Sequence, residues 1–319
     1  MKSLRNQVAV YDYLGGGQVA PARGPVFFAD GSNGATYDTG KDWNHALSTL
    51  DAVFDKIDAL PTSQKSNGII YATGDFRDQA LYTPLGAYGW KIIGVRGGRN
   101  RHTTSSGVVL NGNGAAWREA ATAANAPLLK VREQGWELHN FLMLPESGYA
   151  AVQLRCAEDA TDPDGSHFAA RNVRFISSGT RVGYGLEDIG GAAHIGVYGC
   201  EFRLLEFAWK QTSVGIRNPQ DHEWFDNRFS GCKTDIAMNA ARCSFRRNRF
   251  ETKYDGTNHP NTLNLASTAD SSEPNFVVDN EFADNAADVT IAKGYKPATG
   301  DMWRNRVANT AADIVTVPA

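Results

Sequence analysis

The second half of the chain contains a short pattern that recurs at irregular intervals. Each copy has apolar residues at alternate positions, then a polar break, then one more apolar residue, as in Cys243, Phe245, Asn248 and Phe250. Alternation with a period of two indicates a strand with one buried face. A fixed strand pattern at variable spacing is typical of a solenoid whose loops differ in length. The copies are FAARNVRF (168–175), IGVYGCEF (195–202), HEWFDNRF (222–229), CSFRRNRF (243–250), NFVVDNEF (275–282) and GDMWRNRV (300–307), with a looser one at LHNFLM (138–143).

The last apolar residues of these copies align in one column, which we expect to face the interior of a coil of short parallel strands. The polar break is a bend, and Asn occupies it at positions 227, 248, 280 and 305. Asn tolerates left-handed backbone, and stacked Asn side chains would bond to one another as a ladder. The aligned column is Met143, Phe175, Phe202, Phe229, Phe250, Phe282 and Val307. Further short strands are predicted at Ile236–Met238, Leu263–Leu265, Val289–Ile291 and Ile314–Val317.

The outward positions carry charges of both signs. Successive rungs of a coil lie about 4.8 Å apart, so opposite charges meet across strands and each pair contributes about 0.2–1 kcal/mol. We therefore expect exposed ion-pair ladders, with a carboxylate-lined sugar groove as the alternative. The residue before the aligned column is Arg174, Glu201, Arg228, Arg249, Glu281 or Arg306. The residue two positions earlier is Asn172, Gly199, Asp226, Arg247, Asp279 or Arg304.

The first half of the chain fits the same coil. Residues 40–60 have the apolar spacing of an amphipathic helix, which Thr39 and Asp42 would begin as a capping box and Pro61 would end. An open solenoid end exposes its core and an unpaired strand edge, so we predict that this helix caps the N-terminal end. Additional strands are predicted at Gly68–Ala72, Lys91–Val95, Gly107–Leu110 and Leu128–Val131.

Residues 1–25 differ in composition from the remainder. They contain Tyr11, Tyr13 and Leu14, followed by a run of glycines and by prolines. We predict an extended arm that orders on another subunit, with a disordered tail as the alternative. Residues 26–319 are predicted to form a single domain.

Composition excludes several classes of function. The net charge is −3, which argues against general binding of nucleic acid. No apolar stretch is long enough to insert into a membrane, and the N-terminus lacks the apolar core of a signal peptide. The cysteines are expected to be buried free thiols of a protein made in a reducing cytoplasm, and a disulfide pair is the alternative. They are Cys156, Cys200, Cys232 and Cys243.

These features resemble the right-handed parallel β-helix superfamily, which includes pectate lyases and phage tailspikes. The resemblance covers residues 26–319 and rests on the aligned Asn-x-Phe units and on the helix followed by NGIIYATGDF (67–76). It implies an all-β solenoid of about ten turns with an N-terminal amphipathic capping helix and an extended N-terminal arm. A narrower likeness, to the openings of β-helix virion proteins of tailed bacteriophages, lies at Phe28, Asp30, Asn33, Gly34, Trp43, Ala46, Thr49 and Ala52.

Catalytic motifs are weak. The densest set of carboxylates is Asp221, Glu223, Asp226, Glu201 and Glu206, but arginines alternate with these acids, so a calcium site of converging oxygen ligands does not fit. His222 is expected to be a packed histidine, and Trp224 a core residue. For Trp209 the sequence leaves both an inward and an outward orientation open. Asp162-Pro163-Asp164-Gly165 is a turn sequence, with a bound cation as the alternative.

The sequence predicts a structural bacteriophage virion protein, displayed on the surface of the capsid or tail and anchored to other virion proteins through Tyr11, Tyr13 and Leu14. A trimer or another symmetric homo-oligomer is expected, and a host polysaccharide is left open as a further partner. No catalytic, cofactor-binding or metal-binding residue is assigned. One alternative is a tailspike depolymerase or polysaccharide lyase that uses Glu201, Glu223 or Asp226. The other is a non-catalytic glycan-binding adhesin.

Overall fold

Short strands dominate the structure. A computed structural model describes residues 24–77, 80–95, 101–103, 109–111, 115–119, 126–145, 148–155, 164–177, 182–212, 220–238, 242–251, 263–264, 275–283, 301–303, 305–307 and 313–314. The helical elements are α1 (Leu50–Asp58) and two 3-10 turns at Trp43–His45 and Thr62–Gln64. Within these ranges, no helix has the length and apolar character needed to span a membrane.

The strands in the first half of the chain are β1 (Val26–Asp30), β2 (Ile69–Phe76), β3 (Leu81–Tyr82), β4 (Lys91–Gly94), β5 (Arg101–Thr103), β6 (Val109–Asn111), β7 (Ala115–Arg118), β8 (Leu129–Val131), β9 (Glu137–His139), β10 (Phe141–Leu144) and β11 (Ala150–Arg155). Those that follow are β12 (Ala169–Arg171), β13 (Arg174–Ile176), β14 (Tyr184–Ile189), β15 (Gly196–Tyr198), β16 (Glu201–Arg203), β17 (Phe207–Thr212), β18 (Glu223–Phe225), β19 (Arg228–Ser230) and β20 (Thr234–Ala237). The last are β21 (Ser244–Arg246), β22 (Arg249–Glu251), β23 (Leu263–Asn264), β24 (Phe276–Val278), β25 (Glu281–Ala283), β26 (Asp301–Trp303), β27 (Asn305–Val307) and β28 (Asp313–Ile314).

Most strands pair in parallel with the strand one turn away, and they stack into three faces. The first face runs β1, β2, β4, β9, β12, β15, β18, β21, β24, β26. The second runs from the end of β2 through β7, β10, β13, β16, β19, β22, β25 and β27. The third runs β3, β8, β11, β14, β17, β20, β23. The chain is a right-handed parallel β-helix, as the sequence predicts, and right-handed crossovers are the rule for parallel strands.

The aligned apolar column lies on the second face and points into the coil. Phe175, Phe202, Phe229 and Phe250 are partners in register and are fully buried. Their rings stack with centroids 4.8, 5.0 and 4.7 Å apart along the column. Burial of each ring stabilises the fold by about 1.5–3 kcal/mol, and the stacking adds about 0.5–1.5 kcal/mol per pair. The predicted register is confirmed.

The bend between the first and second faces differs from the prediction in one detail. The left-handed residue is the one before the Asn column, with φ of 60° at Asp226, 56° at Arg247 and 54° at Asp279. Asn227 and Asn248 follow these positions and are buried. The left-handed residue turns the chain, so the Asn side chain after it points into the coil instead of lying at the turn.

The buried Asn residues form the expected ladder. The Asn227 amide nitrogen Nδ2 donates to Asn248 Oδ1 at 2.9 Å, and Asn248 Nδ2 donates to Asn280 Oδ1 at 3.0 Å. Each Oδ1 also accepts the backbone N–H one rung earlier, including the N–H of Cys200. Buried backbone groups need such partners. The ladder therefore satisfies the bend while fixing the spacing of the rungs.

The helix α1 begins later than predicted. Thr49 is its N-cap and accepts a hydrogen bond from Ala52 N at 3.1 Å. The predicted capping box is wrong, because Asp42 caps the separate turn at Trp43–His45 and Thr39 caps neither element. A local cap nearer the apolar run determines where this helix starts.

The helix packs where the sequence places it, against the N-terminal rungs. Phe54 contacts the ring of Trp136 edge-on at 5.5 Å, and Trp136 stacks on Trp90 at 6.1 Å. Leu47, which was predicted to be helical, instead forms a parallel bridge with Ala29. The segment before α1 thus adds a strand-like edge to β1, while α1 itself covers the aromatic core.

Two predicted strands have other roles. Gly107–Leu110 was expected in the coil, but β6 pairs antiparallel with β5 as a hairpin outside it. Ile314–Val317 was expected as a parallel strand, but β28 pairs antiparallel with β27. Such a pairing occupies an edge that a parallel stack leaves open. Tyr11, Tyr13, Leu14, Cys156, Val289–Ile291 and most of the predicted arm lie outside the described residues.

The three cysteines among the described residues are free thiols in the interior. Cys200 and Cys243 are 2% and 0% exposed, and Cys232 is 5% exposed. Burial raises the pKa of Cys200 to about 12, so this thiol stays protonated and behaves as a small apolar group. The expectation of buried free thiols is confirmed for these three.

Candidate functional site

Outward-pointing charged side chains of the second face form ion pairs with one another. Arg174 Nε donates to Glu201 at 2.7 Å, and Arg228 bonds both oxygens of Glu251 at 3.0 and 2.9 Å. Arg249 lies 3.0 Å from Glu251. The hydrogen bond from Arg228 holds the pKa of Glu251 below its ordinary value against the opposing effect of burial. Ion pairs across neighbouring strands therefore form on this face as expected, within the predicted column at Arg174–Glu201 and Arg249–Glu281 and outside it at Arg228–Glu251.

The carboxylates singled out from the sequence do not converge. Glu201 lies on the second face, Glu223 on the first, and Asp226 at the bend between them. Glu223 accepts a hydrogen bond from Tyr198 at 2.9 Å and pairs with Arg246. Glycoside hydrolysis needs two facing carboxyl groups, one of them with a raised pKa. Because Glu201, Glu223 and Asp226 lie on different parts of the coil, each near an arginine, they are not placed as such a pair.

The two remaining acids of that set are also separate. Asp221 precedes β18 and receives two hydrogen bonds from Arg242, both at 2.8 Å. These bonds lower the pKa of Asp221. Glu206 lies directly before β17, between the second and third faces. Asp221 is therefore held as an ionised structural partner and not as a general acid.

His222 is a packed histidine, as predicted. It is 1% exposed, and its Nε2 donates to the carbonyl oxygen of Ala192 at 2.8 Å. Desolvation lowers its pKa to about 4, so the ring is neutral at physiological pH. It meets the ring of Trp209 edge-on at 5.1 Å. Trp209 and Trp224 are both fully buried, so neither belongs to a surface site.

A buried carboxylate that sequence reasoning missed lies close to this histidine. Asp188 is fully buried, and its Oδ1 accepts from the backbone N–H groups of Gly191 and Ala192 at 3.2 and 2.9 Å. Burial raises its pKa to about 7. The His222 ring donates to the carbonyl oxygen of Ala192, and Asp188 accepts from the N–H of the same residue. The two side chains therefore fix the turn at Ala192 from two adjacent rungs. The sequence signal for this buried carboxylate was an acidic residue two positions before the Gly-Gly pair in LEDIGG (186–191).

The lengths of the connections between strands differ around the coil. From β9 onward the first-to-second-face turns are short, such as residues 199–200 and 226–227, whereas residues 95–114 join β4 on the first face to β7 on the second. The connections on either side of the third face vary from 204–206 to 252–262 before it, and from 132–136 to 156–168 after it. Loops on a rigid scaffold are where binding surfaces form. Connections of variable length thus border the third face on both sides.

A shared kink re-aims side chains on this face. Four successive strands each contain a pair of consecutive buried residues, which stands alone in β17 and β20 and belongs to a longer buried run in β11 and β14. Such a pair breaks the alternation of inward and outward side chains. Tyr184 and Phe207 directly precede these pairs in β14 and β17 and are partly exposed, with ring centroids 5.5 Å apart. The buried pairs are Ala151–Val152, Gly185–Leu186, Ala208–Trp209 and Asp235–Ile236.

Hydrogen-bonding groups lie beside these rings. Glu187 accepts from Gln153 Nε2 and from Thr212 Oγ1, both at 2.9 Å. Lys210 lies 3.9 Å from Glu187, and its ammonium group is 4.1 Å from the centroid of the Tyr184 ring. Aromatic surface next to fixed polar groups is the usual composition of a binding site for polar organic ligands.

The N-terminal end of the same face is cationic. Tyr82 is 38% exposed and is surrounded by Lys130, Arg132 and Arg155, whose charged groups lie 4.6, 4.9 and 5.9 Å from its ring centroid. Lys130 also donates to the Tyr82 hydroxyl at 3.2 Å, and this bond lowers the pKa of Tyr82. Tyr82, Lys130, Gln153, Glu187 and Lys210 are partners in one register column, in which Gln153 and Glu187, between the two ends, are buried.

Metal ligands do not cluster in the described part of the chain, where no three His, Cys, Asp or Glu side chains come together. Asp164, from the predicted turn, accepts from the backbone N–H of Ser166 at 2.8 Å. This bond is typical of an Asx turn. The earlier residues of that turn sequence, Asp162 and Pro163, lie outside the described residues.

Several solved structures resemble the chain over most of its length. A pectate lyase from a Bacillus species, in complex with trigalacturonate, is 15% identical with a TM-score of 0.48, over 96% of this chain and 90% of that one. Pectate lyase Pel9A is 11% identical with a TM-score of 0.46, over 88% of this chain and 62% of that one. A rhamnogalacturonan lyase is 9% identical with a TM-score of 0.43, over 82% and 69%. No protein-family model and no curated protein matches the sequence.

Proposed function

We propose that this chain is a non-catalytic glycan-binding structural protein and that the third face binds the glycan. The carrying observation is the outer side of this face, where the partly exposed rings of Tyr184 and Phe207 lie beside Lys210, and the buried Gln153–Glu187 pair lies next to Lys210. Aromatic rings and amide or carboxylate groups supply stacking area and hydrogen bonds for a hydroxyl-rich ligand.

Binding without cleavage fits the distribution of charge. Among the described residues, the candidate acids Glu201, Glu223 and Asp226 lie on different parts of the coil, each near an arginine. On the third face Glu187 is held by two hydrogen bonds and has no second carboxylate in the same register column. A hydrolase would need the second group.

The test is binding of polysaccharides to the purified chain, by glycan array and then by calorimetry. Replacing Phe207 on the third face by Ala is expected to weaken binding about tenfold, the equivalent of about 1.4 kcal/mol. The matched control is Phe276→Ala on the first face, where the ring is 46% exposed and binding should not change. Equal losses in both variants would contradict the assignment of the face.

Chromatography of the incubated glycan separates binding from degradation. We expect the chain length of the glycan to be unchanged after prolonged incubation. Shortening that disappears in Glu201→Gln, Glu223→Gln or Asp226→Asn would establish the depolymerase alternative instead.

We also propose that the chain is displayed on the surface of a bacteriophage particle, anchored by residues 1–25. The support is the likeness of the domain's opening to the openings of β-helix virion proteins of tailed bacteriophages. The matched residues form one local structure, in which Asp30 accepts hydrogen bonds from the backbone of Ser32 and Asn33 and Trp43 packs on Phe28 at 5.0 Å. Counting copies per purified particle by quantitative mass spectrometry tests the proposal. Hundreds of copies would indicate the capsid, a handful in multiples of three or six the tail, and none would defeat it.

A further inference from the structure

The turn at residues 190–195 carries the chain from β14 on the third face to β15 on the first face. It begins with Gly190 and Gly191, whose φ angles are 103° and 87°. Glycine adopts such angles without steric cost and leaves the backbone free to change conformation. The turn follows the strand on which Tyr184 and Glu187 lie, so it borders the candidate binding surface.

Side chains from three successive rungs hold the backbone of this turn. Asp188, at the end of β14, accepts from two consecutive backbone N–H groups of the turn at 3.2 and 2.9 Å. Ser166 Oγ accepts from the N–H of Ala193 at 2.9 Å on the rung before. His222 Nε2 donates to the carbonyl oxygen of Ala192 at 2.8 Å from the rung after. Of these side chains Asp188 forms the most bonds, so the conformation of the turn depends chiefly on one carboxyl group.

The surroundings of Asp188 favour its neutral form. The side chain is fully buried, and its second oxygen, Oδ2, has no hydrogen-bond partner among the described residues. The strands on either side place Leu154 and Gln211 opposite it, and neither carries a charge. The charges of Asp164 and Glu187 act on it, and both are negative. Within the described part of the chain, an ionised Asp188 thus leaves one oxygen unpaired beside like charges.

Ionisation of Asp188 therefore works against the closed turn. A buried carboxylate without a cationic partner is unfavourable, and contact with water relieves the cost. Water reaches this carboxyl group once the turn moves away, because the turn supplies both N–H groups that bond to Oδ1. Burial correspondingly raises the pKa of Asp188 to about 7. Closing of the turn and loss of the proton thus oppose each other.

Histidines are the other titratable groups that contact this turn. The charges of Asp221 and His194 act on His222, which is buried. His194, in the turn itself, stacks on His167 with ring centroids 4.5 Å apart. These side chains are the same in any two chains that differ only at Asp188. A comparison of such chains therefore isolates the effect of this one carboxyl group.

We propose that the turn at residues 190–195 is a pH-responsive switch, which is closed while Asp188 is protonated and opens to water when Asp188 ionises. The opening is local, because the stacked rings of the interior, such as Phe202 and Phe229, do not depend on this turn for their contacts. The inference goes beyond the proposed function and does not rest on it, since it concerns the turn and not a ligand.

Hydrogen–deuterium exchange of the full chain measures the opening, with rates corrected for the intrinsic effect of pH. The test variant is Asp188→Asn, which keeps a carbonyl oxygen for the two N–H groups but cannot ionise. The matched control is Asp221→Asn. Arg242 holds the pKa of Asp221 below its ordinary value, so this carboxyl group, close to the same turn, is ionised throughout the range tested. Circular dichroism and thermal melting establish that each variant folds.

The expected result is a pH-dependent difference between two chains. Exchange of the amides at 191–194 in the unmodified chain, relative to Asp188→Asn, should rise about tenfold for each pH unit between pH 5 and 7 and level off above pH 7. The direction follows from the raised pKa, because protection is complete below pH 3.8 and is lost as pH rises through 7. Relative to Asp221→Asn, the same exchange should keep a constant ratio. A ratio to Asp188→Asn that does not change with pH would overturn the switch.

The size of the exchange rates separates local opening from unfolding of the whole coil. Near pH 7 we expect the turn amides to exchange at least about tenfold faster than the buried amides at Phe229 and Phe250. If turn and core amides exchange at one common rate at every pH, Asp188 is exposed only by global unfolding and the switch is refuted. An equal pH-dependent ratio for Asp221→Asn would refute it as well. None of these outcomes bears on glycan binding, which is measured separately.

Discussion

Truncation of one side chain in the Asn ladder should destabilise the coil strongly. Asn248 Oδ1 accepts from the backbone N–H and the side chain of Asn227 at 3.0 and 2.9 Å. Its Nδ2 donates to the carbonyl of Trp224 at 2.9 Å and to Asn280 Oδ1 at 3.0 Å. One residue thus connects three rungs through four hydrogen bonds in a position that is 1% exposed.

The expected cost of Asn248→Ala follows from these bonds. The backbone N–H of Asn227 loses its acceptor inside the coil, and an unpaired buried donor costs about 1–3 kcal/mol. Asn227 Nδ2 keeps its bond to Val197, and Asn280 Oδ1 keeps the backbone N–H at position 248. The two bonds that Asn248 Nδ2 donates, to the Trp224 carbonyl and to Asn280 Oδ1, contribute about 1 kcal/mol each. We therefore expect a loss of about 3–5 kcal/mol in the free energy of unfolding.

Urea denaturation followed by far-ultraviolet circular dichroism measures this loss, as a lower midpoint at an unchanged m value. The matched control is Ser244→Ala, on the outer side of the same rung, for which we expect a change within about 0.5 kcal/mol. If both variants unfold at the same urea concentration, the ladder does not stabilise the coil as reasoned here.

Three further predictions concern buried titrating groups and the cap. Because the pKa of Asp188 is raised to about 7, its contribution to stability is complete below pH 3.8 and is lost as pH rises through 7. The urea midpoint of the unmodified chain should therefore fall between pH 4 and 8, and the midpoint of Asp188→Asn should fall less. The pKa of His222 is lowered to about 4, so its contribution is present above pH 6.5 and is lost as pH falls; His222→Phe should flatten this opposite limb. Thr49→Ala should cost about 1 kcal/mol in the same assay, and no change would contradict the capping assignment.

The inward half of the fold follows from the sequence because burial imposes one chemical demand at every rung. Phe202, Phe229 and Phe250 recur at the same point of the pattern, and the structure pairs them in register. The same reasoning identified His222 and Trp224 as interior residues. A residue that must be apolar, or must have a hydrogen-bond partner, leaves a signal that survives changes in loop length.

The errors arise where short-range competition decides the outcome. The apolar spacing from position 46 onward is compatible with a helix, yet Leu47 bonds β1 and Thr49 supplies the cap, so the helix starts at Leu50. At the bend, Asn tolerates left-handed backbone, but Asp226 and its equivalents adopt it and leave Asn227 to point inward. In both cases the sequence pattern predicts the element correctly, a helix in one case and a bend in the other, but places it one to a few residues away from its observed position.

The candidate site was not predictable from the pattern, because outward residues obey no common demand. Whether Arg155 meets a carboxylate or the ring of Tyr82 depends on the register of three rungs and on the lengths of the connections between them. The consecutive buried residues next to Tyr184 and Phe207 break the alternation of apolar and polar residues by which strands are predicted. The acids that the sequence indicates, Glu201 and Glu223, lie in regular repeats on the other two faces.

Charge pairing divides the outer surface into parts with different requirements. On the first and second faces, as far as they are described, Arg174, Arg228 and Arg246 pair with carboxylates one rung away. On the third face, Lys130 and Arg155 converge on a neutral ring. Like charges held together lower stability unless an anion joins them. Among the described residues, Lys130 and Arg155 thus share the Tyr82 ring and form no ion pair with a carboxylate, so an anion from outside the described coil would lower their mutual repulsion.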